Sequence, residues 1–283
     1  MPPAVTAAPL DMDRVSFRVQ GIECNGADQG SGEPMLMIHG WGGGASNFRR
    51  LWPSIATRYR CIAPDLPGWG DSDKPRVPYT FEWYADWLAE LLETRSASPA
   101  LVVGHSMGAT IALFFALRHP DKVRKLAILN PIIRGSDGVK RETRLLSMPG
   151  FRRVAYWMTS QRWFLRFISR NFTERTEGLD EKDLLLVGKG TFASMIRTIK
   201  ALKAVDLTGS LKSVAVPTLV IGADADREIP VEQSRLAAGI PGARLEMLKG
   251  CGHVSPLERP DEVAGLLVNF FGPGSRSDRP PQW

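Results

Sequence analysis

The chain has 283 residues, 43% of them hydrophobic and 23% charged, and this composition excludes an intrinsically disordered chain, a collagen-like chain and a disulfide scaffold. The net charge is +6, but residues 131–213 hold 16 Lys and Arg against 8 Asp and Glu, a balance of +8 that leaves −2 for the rest. A basic excess that is confined to one segment and lacks a nucleic-acid-binding motif predicts no nucleic-acid partner.

Short apolar runs alternate with helical patterns along the first 130 residues. The predicted strands lie at residues 35–39, 61–64, 101–104 and 125–129. The predicted helices between them are residues 80–92, with apolar residues on one face, and residues 107–117, apolar on nearly every side. Strands that are apolar on both faces and separated by helices indicate a parallel sheet covered by helices on each side.

The alternation breaks at Pro131 and resumes near Val216. Beyond the break we predict strands at residues 218–221 and 244–248 and helices at residues 231–238 and 261–271. The intervening segment shows helical patterns only, at residues 151–158, 162–170 and 191–205. The predicted organisation is therefore a core of residues 1–130 and 214–271, a helical cap of residues 131–213, and a loose tail of residues 272–283.

The pentapeptide GHSMG at residues 104–108 joins a predicted strand to an apolar helix. In this position G-x-S-x-G is the pattern of a nucleophile elbow, where glycines permit a tight turn that exposes the hydroxyl of Ser106. The N–H of Met107, at the start of the helix, would point to where an oxyanion forms. The strand and helix around the motif favour this interpretation over a structural turn serine.

A glycine-rich loop, HGWGGG at residues 39–44, follows the first predicted strand. Such a loop lets the backbone approach a ligand closely, and the N–H of Trp41 would supply a second donor to an oxyanion. A plain connection from strand to helix is the alternative. A phosphate cradle is disfavoured, because the loop matches neither G-x-x-x-x-G-K-[ST] nor G-x-G-x-x-G.

Two aspartates and a histidine follow the last predicted strands. Asp224 and Asp226 come after residues 218–221, and His253 comes after residues 244–248. The chain order Ser, Asp, His is the order in which successive parallel strands bring a nucleophile, an acid and a base to one edge of a sheet. We predict that His253 takes the proton of Ser106 and that an aspartate orients its imidazole.

The three other histidines are interpreted as structural. His105 lies within the elbow, His119 stands at a helix end before a proline, and His39 precedes the glycine-rich loop.

Together these motifs resemble those of the α/β-hydrolase superfamily, in its branch with a helical cap. HGWGGG, PDLPGWGDSDKP, GHSMG, DREIP and GCGHVSPLERP match in order and spacing across residues 14–271. The resemblance implies an α/β-hydrolase fold: a mostly parallel sheet with helices on both faces and an inserted helical cap. It also implies that Asp226 is the acid, with Asp224 as the second candidate.

Ser106 stands where the similar haloalkane dehalogenases and epoxide hydrolases carry an aspartate. A serine with an oxyanion hole suits attack on a carbonyl, so we predict hydrolysis of carboxylic esters of small to medium acyl or aryl substrates through an acyl-enzyme. The resemblance keeps two alternatives: a carbon–carbon bond hydrolase of ring-cleavage products with the same triad, and a ligand-binding receptor on a hydrolase fold. No metal or organic cofactor is implied, because the triad activates its own nucleophile.

Three arginines of the predicted cap, Arg162, Arg166 and Arg170, recur every four residues beside aromatic side chains. A basic amphipathic helix of this kind binds an anionic lipid surface or an acidic substrate. We favour an apolar face packed over the site with solvated arginines, and weak lipid-surface contact is the alternative. The sequence does not indicate which oligomeric state the protein adopts.

The first residues, MPPAVTAAPLDMD, have neither a basic n-region nor an apolar h-region, so we predict no signal peptide. The longest nearly apolar stretch, residues 109–117, is about half of the roughly 20 residues that a membrane-spanning helix needs. Three cysteines without metal-ligand spacing suit a reducing compartment. We therefore expect a cytoplasmic location and no integral membrane contact.

Overall fold

The structure, a computed structural model, describes residues 12–138, 173–174 and 190–272. Eight strands form one sheet in the order β1-β2-β4-β3-β5-β6-β7-β8. The strands are Arg14–Val19 (β1), Ile22–Gln29 (β2), Pro34–Ile38 (β3), Arg60–Pro64 (β4), Ala100–His105 (β5), Val123–Leu129 (β6), Thr218–Ala223 (β7) and Arg244–Leu248 (β8). Strand β2 pairs antiparallel with both β1 and β4, and the strands from β4 to β8 are parallel. The mostly parallel sheet is therefore confirmed.

Helices cover both faces of this sheet. Within the described residues the α-helices are Trp52–Ile55, Phe81–Thr94, Met107–Arg118, Gly135–Gly138, Phe192–Ala204, Glu232–Ala237, Ser255–Glu258 and Pro260–Phe271. The predicted helices at residues 80–92, 107–117, 191–205, 231–238 and 261–271 each coincide with one of them.

Some predictions fall outside the described residues. They are the helices at residues 151–158 and 162–170, the three arginines Arg162, Arg166 and Arg170, and residues 273–283 of the predicted tail.

The alternation of side chains along the strands divides the core into two clusters, one on each face of the sheet. In β3, Leu36 and Ile38 pack with the helices Phe81–Thr94 and Met107–Arg118, whereas Met35 and Met37 pack on the opposite face. Because both faces are buried, these strands are apolar without interruption, which is why the sequence showed them as continuous apolar runs.

The hairpin β1–β2 is an element that the sequence analysis missed. Phe17 and Val19 of β1 are buried, whereas Ser16 and Arg18 between and beside them are exposed. The turn has φ +52 at Gln20 and φ +76 at Gly21, the left-handed conformation that two-residue hairpin turns require. Alternating polarity followed by a glycine was the signal that would have predicted it.

The helix Phe192–Ala204 rests on the core at the carboxyl edge of the sheet. The Ser194 hydroxyl donates to the carbonyl of Gly68 at 2.8 Å, and the indole N–H of Trp41 donates to the carbonyl of Met195 at 3.4 Å. An isolated antiparallel bridge joins Arg134 to Asp206. The boundaries of the predicted cap, residues 131–213, stay a prediction.

None of the helices in the described ranges combines the length and the hydropathy that crossing a lipid bilayer requires.

Candidate active site

Ser106 stands at the end of β5 in a strained turn, with φ +54 and ψ −120. A Cβ at Gly104 would lie 2.4 Å from the carbonyl oxygen of Gly108, and a Cβ at Gly108 would lie 2.1 Å from that of Ile38. Glycine is therefore required on both sides of the serine, because the helix start and β3 approach too closely for any side chain. Such a backbone conformation costs about 1–3 kcal/mol and persists because its surroundings impose it.

The structure brings together the three residues of the predicted triad. Nε2 of His253 lies 2.9 Å from the Ser106 Oγ, and Nδ1 of His253 lies 2.8 Å from Oδ2 of Asp226. Asp224 does not take this place: its Oδ1 accepts the N–H of Gly250 at 2.7 Å and holds the loop that precedes the histidine. The partner of the imidazole is therefore Asp226, as the family resemblance implied.

The electrostatics of the pair favour a charged Asp226. Burial would by itself raise the pKa of Asp226, but the charge and hydrogen bond of His253, with further donors, lower that pKa to about 2. Burial would lower the pKa of His253, but the adjacent carboxylate raises it above the ordinary value for histidine. The imidazole can thus accept a proton readily from Ser106, which is the property that a general base needs.

The glycine-rich loop lies against Ser106. The loop approaches so closely that a Cβ at Gly40 would lie 3.1 Å from the Cβ of Ser106. His39 braces it: the Nδ1–H donates to the Gly40 carbonyl at 2.7 Å, while Nε2 accepts the Leu66 N–H at 2.9 Å.

Within the described ranges, the structure shows no hydrogen-bond acceptor for the N–H of Trp41 or of Met107. These are the two N–H groups that the sequence predicts for an oxyanion hole.

The other histidines have structural contacts. His105 donates its Nε2–H to the carbonyl of His253 at 2.8 Å, and the two ring centroids lie 5.2 Å apart. Burial, followed by the proximity of His253, lowers the pKa of His105 to about 3, and burial lowers the pKa of His39 as well. His119 pairs with Asp86 at 2.8 Å, remote from the site in the fold. The interpretation of these three as structural agrees with the contacts.

Sequence reasoning missed the carboxylates that hold the catalytic loops. Glu258 accepts the N–H groups of Gly252 at 3.0 Å and of Val254 at 3.1 Å, which are the two neighbours of His253. Asp65 accepts the N–H of Ala45 at 2.7 Å and so holds the end of the glycine-rich loop. The only sequence signal for these two carboxylates was that Glu258 lies in the GCGHVSPLERP motif and Asp65 in the PDLPGWGDSDKP motif.

Sequence reasoning also gave no role to Asn130. Its Nδ2 donates to Oδ2 of Asp226 at 2.9 Å, so this side chain touches the acid of the predicted triad directly.

In the part of the chain that the structure describes, no group of three or more His, Cys, Asp or Glu side chains is arranged to hold a metal ion. Cys24, Cys61 and Cys251 are free and buried, and burial raises the pKa of Cys24 and of Cys251 to about 12. These thiols stay protonated at neutral pH and are poor nucleophiles.

Comparison with known proteins agrees with this geometry. Residues 35–266 match the model of the alpha/beta hydrolase family. The 2-hydroxymuconate semialdehyde hydrolase of Pseudomonas sp. strain CF600 is 30% identical over 275 residues, which cover 89% of this chain and 91% of that protein.

Solved structures are similar over most of their length. The esterase of Exiguobacterium antarcticum superposes with a TM-score of 0.77 at 25% identity, covering 90% of this chain and 98% of that chain. A bacterial membrane phospholipase A has the same TM-score and identity, with 92% and 86% coverage.

Proposed function

The chain belongs to the alpha/beta hydrolase family, and from that premise we propose that it hydrolyses carboxylic esters of small to medium acyl or aryl substrates through a serine acyl-enzyme. The observation that carries the proposal is the unbroken line of contacts from Asp226 through His253 to Ser106, at 2.8 and 2.9 Å. A serine so placed is activated by an adjacent base and attacks a carbonyl carbon. The similar esterase is consistent with this activity.

The acylation half of the reaction uses each of these groups. The Oγ of Ser106 bonds to the carbonyl carbon while its proton passes to Nε2 of His253. The carbonyl oxygen becomes an oxyanion and accepts hydrogen bonds from the N–H groups of Trp41 and Met107. Asp226 stabilises the imidazolium, which then gives its proton to the departing alkoxide as the carbon–oxygen bond breaks. An alcohol leaves, and the acyl group stays on Ser106.

Deacylation repeats the sequence with water as the nucleophile. His253 takes a proton from the water as its oxygen bonds to the acyl carbon, and the same two N–H groups hold the oxyanion. When the bond to Ser106 breaks, His253 returns the proton to Oγ. A carboxylic acid leaves, and the enzyme regains its starting state.

A second candidate is a carbon–carbon bond hydrolase of ring-cleavage products, which uses the same triad. The observation in its favour is the 30% identity to 2-hydroxymuconate semialdehyde hydrolase. The basic balance of residues 131–213 is consistent with a substrate that carries a carboxylate. A ligand-binding receptor is disfavoured because the site holds a complete nucleophile, base and acid in contact.

A panel of p-nitrophenyl esters from acetate to palmitate, assayed beside a ring-fission product, tests the proposal. We expect turnover that is fastest for short and medium acyl chains and slow for palmitate. Turnover of the ring-fission product with no hydrolysis of any ester would select the second candidate. Failure to turn over either substrate class would contradict both enzymatic assignments.

The pH dependence of kcat/KM is expected to show one acid limb, set by His253. The protonated imidazole cannot accept the serine proton, so activity falls as the pH drops through the pKa of His253. Because Asp226 raises that pKa above the ordinary value of 6.5, half-maximal kcat/KM should lie above pH 6.5. Initial rates with p-nitrophenyl butyrate across the neutral range check this, and a midpoint below pH 6.5 would contradict it.

A further inference from the structure

We propose that Asn130 is a positioning residue, which holds the Asp226 carboxylate in the orientation that His253 requires, and that Ser255 fixes which end of the Asn130 amide faces that carboxylate. The inference rests on the proposed function, since it concerns the same triad. It adds two side chains to a site that the motifs described with three.

Asn130 links the two loops that carry the acid and the base. It directly follows β6 and is 1% exposed. In the sheet, β6 lies between β5, which is followed by Ser106, and β7, which is followed by the Asp226 loop. Its Nδ2 donates to Oδ2 of Asp226 at 2.9 Å, and its Oδ1 accepts from the hydroxyl of Ser255 at 2.7 Å. Ser255 itself is fully buried two residues after His253. The amide therefore spans the gap between the two catalytic loops.

The donors around Asp226 are divided between its two oxygens. Oδ1 accepts the N–H groups of Glu228 at 2.8 Å and Ile229 at 2.9 Å, and Oδ2 accepts Nδ2 of Asn130 and Nδ1 of His253. An ionised carboxylate has about four lone-pair sites, so this set fills them all. With Asn130 in one site of Oδ2, the remaining site is the one directed at the imidazole.

The orientation of the Asn130 amide is decided by its two neighbours. If the amide turned over, its oxygen would face the Asp226 carboxylate, and two acceptors would meet without a proton between them. The Ser255 hydroxyl, which donates to Oδ1, holds the oxygen on the opposite side. Each polar atom of this buried group thus has a partner, and only one orientation satisfies all of them.

The backbone of Asn130 shows which substitution can remove its amide without straining the chain. Its φ is +47, in the left-handed region that glycine adopts at least cost. The N–H of Asn130 donates to the carbonyl of Ile221 in β7, and glycine would make that bond equally well. Asparagine adopts this conformation more readily than most residues that carry a side chain, so the backbone accommodates either asparagine or glycine.

The test is Asn130→Gly, which removes the amide and keeps a residue suited to the backbone conformation. We expect kcat for p-nitrophenyl butyrate to fall about ten- to hundredfold, the loss typical of a hydrogen bond to a charged group, with KM little changed. The acid limb should move to higher pH, because a carboxylate with one donor fewer holds the imidazolium proton more tightly. Among the described residues, the other titratable groups that interact with the pair are unchanged in the variant: His105, Glu228, Cys251 and Glu258.

Rates are expressed per active site titrated with a fluorophosphonate, so that loss of folded protein does not count as loss of kcat. Ser96→Gly is the matched control, because Ser96 also has a left-handed φ, +49. It precedes the amino end of β5, whereas Ser106 follows the carboxyl end of that strand. This control should leave kcat and the acid limb unchanged. Ser255→Ala should also lower kcat, but by less than Asn130→Gly does, since the charge of Asp226 still attracts Nδ2 of Asn130.

A second measurement needs no turnover and so separates this proposal from the ester assignment. The chain has 4 histidines, and proton NMR can follow the titration of the His253 ring in a Ser106→Ala background. Adding Asn130→Gly should raise the midpoint for His253. An unmoved midpoint and acid limb would overturn the proposal, and so would an unchanged kcat per titrated site. If no ester is hydrolysed but the midpoint rises, the positioning role stands and the substrate class is wrong.

Discussion

Ser106→Ala should abolish ester hydrolysis, with kcat/KM falling on the order of 10⁴-fold or more. The hydroxyl is the attacking atom, and without it neither the acyl-enzyme nor its hydrolysis can occur. The fold should be unaffected, because the Oγ contacts Nε2 of His253 and alanine occupies the same turn without a larger side chain. Residual activity would reflect water attack assisted by the oxyanion donors alone.

The measurement is kcat/KM of the purified variant with p-nitrophenyl butyrate, beside a circular dichroism spectrum and a thermal melt. Ser96→Ala serves as the control, since Ser96 is exposed and has a similarly left-handed φ of +49. It tests whether a serine-to-alanine change in that conformation harms the protein by itself. Near wild-type hydrolysis by a well-folded Ser106→Ala chain would end the assignment as a serine hydrolase.

The parallel part of the sheet could be predicted because the burial of its strands on both faces is visible in the sequence as apolar runs. Strands β3 to β8 lie in the covered part of the sheet, so most appear as apolar runs between helical patterns. The hairpin β1–β2 covers one edge and exposes alternate residues, so it carries no such run. Its signal was a weaker period-two alternation, and it was missed for that reason.

The triad was predictable because each of its residues sits in a local motif at the end of a strand. Ser106, Asp226 and His253 follow β5, β7 and β8, and the parallel arrangement brings those ends to one edge. Asn130 also follows a strand, but its partner Asp226 is 96 residues away and no motif marks it. The contact depends on β6 lying between β5 and β7, which is a property of the strand order and not of any local stretch of sequence.

The choice between Asp224 and Asp226 shows what the structure added. The two residues lie on one loop, two positions apart, and the sequence separated them only through the family resemblance. In the structure, Asp226 faces the imidazole and Asp224 holds the Gly250 N–H at 2.7 Å. That division of contacts leads to opposite expectations for the same substitution at the two positions.

Asp226→Asn is expected to lower kcat by roughly 10²- to 10⁴-fold. The N–H groups of Glu228 and Ile229 both donate to Oδ1, so the amide oxygen of the variant will occupy that position. Its NH₂ then faces Nδ1 of His253, which must become the acceptor and leave the ring proton on Nε2. An imidazole with its proton on Nε2 donates toward Ser106 instead of accepting its proton, so the base is in the wrong tautomer. The lost negative charge also leaves the imidazolium without support.

Asp224→Asn is the matched control on the same loop. Its amide oxygen can still accept the Gly250 N–H, so the loop before His253 keeps its brace, and kcat should change by less than about threefold. Comparing kcat for the two variants with p-nitrophenyl butyrate decides between them. The midpoint of the acid limb should also move to lower pH in Asp226→Asn but not in Asp224→Asn, because burial without the carboxylate lowers the pKa of His253. If Asp224→Asn were the more damaging change, the orienting role would pass to Asp224, and the 2.8 Å contact between His253 and Asp226 would have no part in catalysis.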